Sequence, residues 1–144
     1  MAVFIVFTRW LLSGLALAVG ILGISAVWLA LTMLTDSACS WLALVAAADM
    51  ALMLRLTQAP PGWSRRVIAA LATALAIATS HWMIVATFFG QTLGLMPLES
   101  ARRLGPVLAW AMTVLNLRTS DWALLVISLP LAAWWAGNWV ASAA

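Results

Sequence analysis

Apolar residues fill long unbroken stretches of this chain, and the few polar residues gather in the gaps between them. The first stretch, 11–34, is opened by Arg9 and Trp10 and closed by Thr35, Asp36 and Ser37. The second, 38–56, has Trp41 near its start and Arg55 near its end. Gln58, Ala59, Pro60, Pro61 and Gly62 then break any helix. A third stretch, 67–95, follows Trp63, Arg65 and Arg66 and is stopped by Pro97. The last, 122–141, carries Pro130 near its middle as an expected kink. A helix needs about 20 residues to cross a bilayer, so each of these stretches qualifies as a span. The runs do not alternate between polar and apolar, so they do not have the pattern of a membrane β-barrel.

Segment 98–118 is ambiguous, because its apolar part, 104–117, would reach only about 21 Å as a helix. It reads either as an interfacial or re-entrant segment, or as one kinked helix crossing with Arg102, Arg103 and Arg118 snorkelling to headgroups. With the N-terminus in the cytoplasm, Arg9, Arg55, Arg65 and Arg66 lie inside. A crossing at 98–118 adds Arg118 to them, leaving Arg102 and Arg103 outside. The excess of arginine on the cytoplasmic side therefore favours five spans over four. Thr119, Ser120 and Asp121 would cap the last helix.

Composition strengthens the membrane reading. Hydrophobic residues make up 66% of the 144 residues and charged residues 8%, whereas soluble domains are about half apolar and a quarter charged. A water-soluble fold could not cover its surface with so few charges. All the basic residues are arginines at the ends of apolar runs, so the net charge of +3 is a topology signal and no nucleic-acid footprint. Trp10, Trp41, Trp63, Trp122 and Trp139 fall where interfacial aromatic belts belong, with Trp134 and Trp135 near the last span's end. Trp28, Trp82 and Trp110 sit deeper and read as packing or lipid contact. Cys39 is the single cysteine. Asp36 stands where a lipidation signal wants an aliphatic residue, and the first apolar run exceeds the 7–15 residues, roughly, of a cleaved signal core.

Two intramembrane polar residues are candidates for chemistry. Asp49 lies well inside the second span, where a carboxylate must be protonated, paired or hydrated. His81, the only histidine, lies inside the third span on the side of Ala70, Ala74 and Ala78, a small-residue stripe suited to close helix packing. Antiparallel second and third helices would put the two at depths about 5–10 Å apart. That separation admits a water bridge, for either a proton relay or a plain interhelical hydrogen bond. Further small-residue faces are Ala16 with Gly20, and Ala43 with Ala47 and Ala51 on the side of the second helix away from Asp49.

The remaining chemistry is mostly excluded. One histidine and one cysteine give no bis-histidine haem site and no multi-ligand metal site, and the methionines are scattered, so neither metal nor cofactor is expected. Nucleophile-elbow, zinc-protease and Walker patterns are missing from the sequence. Arg65, Arg66, Arg102, Arg103 and Arg118 are expected at lipid headgroups or as orientation signals, with Glu99 bridging Arg102 or Arg103. The sequence thus predicts an all-α integral membrane protein, one polytopic domain over 1–144, with a compact bundle of four to five helices. Its expected setting is a bacterial inner membrane, its partners the bilayer and other membrane subunits or its own copies. The leading functional expectation is a non-enzymatic subunit or accessory protein of a larger complex. The alternative is a small oligomeric transporter or channel handling protons or cations through Asp49 and His81, and a lipid-directed enzyme using the arginine pairs ranks last.

Overall fold

The computed structural model of the protein describes residues 1–138. Among these residues the chain is all helical, with six helices: α1 (Ala2–Thr35), α2 (Leu42–Leu56), α3 (Trp63–Leu93), α4 (Pro97–Arg103), α5 (Pro106–Asn116) and α6 (Thr119–Asn138). Two of them are long and apolar enough to cross a membrane, Phe4–Thr35 and Trp63–Leu93. Trp139 and the last residues of the stretch 122–141 lie outside the described residues.

The breaks are local chemistry. Asp36 and Gly94 end α1 and α3 in the left-handed conformation, at φ 50° and 67°, and Leu95 N–H closes on the Gly90 carbonyl at 2.9 Å. Ala59 N–H does the same on Leu54 at 3.1 Å, after which Pro60, Pro61 and Gly62 cannot continue α2. Pro97 and Pro106 each occupy the first turn of a helix, where a missing N–H costs nothing. Asp121 accepts a 2.8 Å bond from the Arg118 N–H and so caps the start of α6.

Side-chain contacts set the direction of each helix. The Ser13 hydroxyl meets that of Thr57 at 2.7 Å, and Trp28 Nε1–H donates to the Ala38 carbonyl at 2.9 Å. α1 and α2 are therefore antiparallel. Ser80 donates to Ser25 at 3.1 Å and His81 lies edge-on to Trp28, with Gln91 approaching Met33 further along, so α3 runs parallel to α1. On α6, Leu125 packs with Leu42, Ala43 and Ile77, whereas Ala132 and Ala136 pack with Ala51, Leu54 and Ala69. α6 is therefore antiparallel to α3 and shares the direction of α2. The bundle has an Asp36 end and a Pro60 end, and α1, α2, α3 and α6 run up, down, up, down between them.

Its core is alanine. Ala46, Ala47 and Ala51 of α2 meet Ala69, Ala72 and Ala76 of α3 and Ala132 and Ala136 of α6, all buried. Small side chains let helix axes approach closely, which extends dispersion contact along the backbone. The bundle is also inside-out. Ser13, Ser25, Thr73, Ser80 and Ser128 are buried, whereas Leu15, Val19, Leu22, Leu71, Leu75, Val126 and Ile127 are exposed.

Segment 98–118 departs from the single crossing helix that arginine counting favours. Leu104 and Gly105 are extended, with ψ of 115° and 150°, because the residue before a proline is driven out of the helical region. The segment is two short helices. α4 leaves the Asp36 end beside Gly90, whose Cα faces Ser100, and Trp82 Nε1–H donates to the Ala101 carbonyl at 3.1 Å. Pro106 reaches the level of Ala74 and Ala78, half-way along α3. α5 then climbs back until Asn116 and Leu117 face Asp36, Ser37 and Ala38. The α4–α5 pair is a hairpin that enters and leaves at one end, which is why α6 starts there.

Candidate functional site

Asp49 and His81 occupy different places on α1. The carboxylate of Asp49 hangs over Gly20, with Oδ2 3.2 Å from where a Cβ on that glycine would stand and the ends of Met50 and Met53 beside it. Gly20 makes this room, since any side chain there would meet the acid and both methionines. Asp49 is only half-buried, and among the described residues its carboxylate has neither a hydrogen bond nor an ion pair. The buried alanines 43, 47 and 51 lie on the opposite side of α2.

His81 lies two helical turns away from that point. Its ring sits edge-on to Trp28, centroids 5.2 Å apart at 70°, and Trp28 is eight residues beyond Gly20, about 12 Å along the helix. The structure does not bring Asp49 and His81 together. The ring is instead fixed by two neighbours, Trp28 and its own helix. Nδ1 stands 2.9 Å from the Ile77 carbonyl, and a carbonyl only accepts, so Nδ1 carries the proton. In the neutral ring Nε2 is then an acceptor, and it has no partner among the described residues.

Two cavities flank α5 and share the His81 ring. One, of about 380 Å³, lies between the upper part of α1, α3 and α5, with Thr32, Val85, Phe88, Phe89 and Met112 in its walls and Asp36, Ser37 and Asn116 at its mouth. The other, of about 400 Å³, lies between α3, α5 and α6 and is lined by Trp82, Trp110, Trp122, Ala74 and Ala78 among others. The small residues Ala74 and Ala78 thus share a side with His81, but the side faces this opening and not a packed helix. Thr32 is a residue that the sequence reading passed over. It is 4% exposed and its hydroxyl has no partner, whereas Thr35, Thr73, Thr79, Thr87 and Thr113 all donate to the carbonyl four residues back. The available signal was spacing, since Thr32 lies one turn beyond Trp28 and seven residues beyond Ser25 on the buried side of α1.

The arginines divide by end. Arg9, Arg55, Arg65 and Arg66 are at the Pro60 end and Arg118 is at the Asp36 end alongside Asp36 and Asp121, while Arg102 and Arg103 stand with Glu99 on α4, just before the hairpin's tip. Arg103 pairs with Glu99 at 2.7 Å on the exposed surface. Arg66 is exposed and lies across Gly137, occupying the place a Cβ would take. Arg65 turns inward, 5% exposed with its Nε unpartnered. No cluster of three metal-ligating side chains occurs among the described residues. No protein-family model, curated protein or solved structure matches the chain.

Proposed function

We propose that this chain is an integral protein of a bacterial inner membrane, crossing it four times with both described ends of the bundle's outer helices on the cytoplasmic side, and that it serves as a non-enzymatic subunit or accessory protein of a larger membrane assembly. The inside-out bundle supports the membrane reading, because exposed leucine and valine along every long helix need lipid and not water around them. The orientation rests on the gathering of Arg9, Arg55, Arg65 and Arg66 at the Pro60 end.

The observation that carries the subunit reading is the tip of the hairpin. Gly105, Pro106 and Val107 are exposed at the mid-depth of α3, Val107 at 81%. The N–H groups of Gly105, Val107 and Leu108 have no acceptor among the described residues. Irregular backbone at that depth is tolerated only where protein or a water-filled cavity covers it, since each open group costs several kcal/mol in hydrocarbon. Covering protein from a second chain resolves this, and the unpartnered Asp49 on the other side of the bundle calls for the same remedy.

A photocrosslinking residue at Val107 tests the reading, with one at lipid-facing Leu71 as control. A discrete protein adduct at 107 that also co-purifies in mild detergent is expected. Lipid adducts alone at both positions, with the chain purifying by itself, would remove the proposal. Topology has a separate test. Cys39 is buried against Thr35, Sγ to Oγ1 3.2 Å, so the reporters belong at exposed Ser37 and Ser120 in a Cys39→Ser background. Four crossings require Ser37→Cys and Ser120→Cys to label from the same side with an impermeant maleimide.

A further inference from the structure

We propose that copies of this chain associate head to tail within the membrane, the hairpin of one seated against Asp49 of the next. The inference rests on the membrane and subunit reading above, and it names the chain that covers the tip.

The two surfaces have opposite needs. Gly105, Val107 and Leu108 offer N–H groups with no acceptor among the described residues. They stand at the start of α5, where the helix dipole is positive. On α4, just before them, Arg103 pairs with Glu99 at 2.7 Å, and Arg102 has no ion pair among the described residues. The hairpin side therefore carries spare donors and an excess of positive charge. Across the bundle, Asp49 is a half-buried carboxylate with no hydrogen bond or ion pair among the described residues. Neither α4 nor α5 packs against α2, so the hairpin does not serve the acid of its own chain. Each surface supplies what the other lacks, and a surrounding of low dielectric strengthens their attraction.

Copies inserted the same way can meet only at matching depth. Ser80 bonds to Ser25, which sets the register of α3 against α1. Gly20, under the Asp49 carboxylate, is five residues nearer the Pro60 end than Ser25, level with Leu75 of α3. Pro106 at the hairpin's tip adjoins Ala74 and Ala78. Acid and tip thus share a depth to within about one helical turn. Arg102 lies further toward the Asp36 end, beside the Ala101 carbonyl that holds Trp82. Its part is attraction at longer range, and the tip N–H groups make the direct contact.

The acid can also be approached. Gly23, one turn beyond Gly20 on the exposed side of α1, has nothing within 4 Å of where a Cβ would stand. Val45 and Leu52 flank Asp49 on the exposed side of α2. A bare glycine beside the carboxylate lets a neighbouring backbone come close. Tip and acid are different surfaces, so the contact is heterologous and repeats from copy to copy.

The photocrosslinking residue at Val107 tests this when it is carried by one tagged copy and co-expressed with a differently tagged chain that lacks it. An adduct joining the two tags is expected, mapping by mass spectrometry to α1 and α2 around Gly23 and Asp49. In the chain without the crosslinker, Asp49→Leu removes the acceptor, and Gly23→Leu fills the approach without meeting a neighbour in its own fold. Each should lower the adduct about tenfold or more, with the unfolding midpoint of Gly23→Leu in detergent unchanged. Arg102→Gln in the crosslinker chain should lower it less. An adduct between two hairpin tips, or a yield unaltered in both Asp49→Leu and Gly23→Leu, overturns the inference. An adduct to a different protein overturns it and leaves the subunit reading standing, whereas lipid adducts alone remove both.

Discussion

Two faces of α3 are built on opposite terms. Toward α2 and α6 it presents Ala69, Ala72 and Ala76, which meet buried alanines of both helices, with Met50 and Leu54 of α2 filling the remaining space. Toward α4 and α5 it presents Trp82, Val85 and Gly90, and the hairpin is seated by a few anchors. These are the Trp82 bond to Ala101, the approach of Ser100 to Gly90, and the buried Leu104 and Ala109. The first face is closely packed along its middle and opens only toward the Pro60 end, around Trp63 and Arg66. The second leaves two cavities. On the membrane reading proposed above, exposing a leucine costs nothing and association depends on packing and on satisfied polar groups, so close backbone approach holds the scaffold while sparse anchoring leaves openings.

The strongest way to break this contrast is to enlarge an alanine on the tight face. Ala132→Leu inserts three carbons where no space exists, and a loss of about 3 kcal/mol is expected, read as a lowered unfolding midpoint in detergent. A loss below about 1 kcal/mol would mean that α6 is not closely packed. Gly90→Ala comes next. Its new methyl would stand 2.9 Å from the Leu95 carbonyl oxygen and 3.3 Å from Ser100 Cβ, and backbone cannot yield as a side-chain end can. About 2 kcal/mol is expected, with the hairpin loosened before the bundle unfolds. Gly20→Ala is the matched comparison. It would meet the mobile end of Met50 at 2.9 Å and should cost clearly less.

Trp82→Phe removes one hydrogen bond from the hairpin's seat and should cost about 1 kcal/mol. Hydrogen exchange is the sharper readout, faster over 97–116 and unchanged in α2. Equal acceleration in both would show that the hairpin and the bundle open as one unit. At the lower extreme, Leu115→Ala on the outer side of α5, 79% exposed, should change stability by no more than about 0.5 kcal/mol.

Legibility in the sequence followed the range of the forces involved. The helix stops at Thr35, Pro60 and Pro97 could be read because proline, glycine and capping act on their own backbone neighbourhood. The extra turns of α1 through Arg9 could not, since an arginine is itself a good helix former and marks no boundary. Arginine counting misdirected the path of 98–118, because it weighs one residue, Arg118, against a Gly105-Pro106 pair that breaks any single helix there. The sequence drew attention to His81 but did not show its neighbours. Depth along two antiparallel helices says nothing about rotation, and it is rotation that turns Asp49 toward Gly20 and His81 toward Trp28.

From the sequence alone came an all-helical chain of long apolar elements, the residues that interrupt them, and the polar positions that no lipid would tolerate unsatisfied. These are consequences of local backbone preference and of composition, which no tertiary arrangement can override. Only the tertiary structure decided that the hairpin returns to its own end, that α6 runs against α3, and that Asp49 and His81 never meet. Those outcomes depend on which surfaces pack most closely, a sum over contacts between residues far apart in the chain. The same sum leaves the space on either side of α5, where His81 borders both cavities.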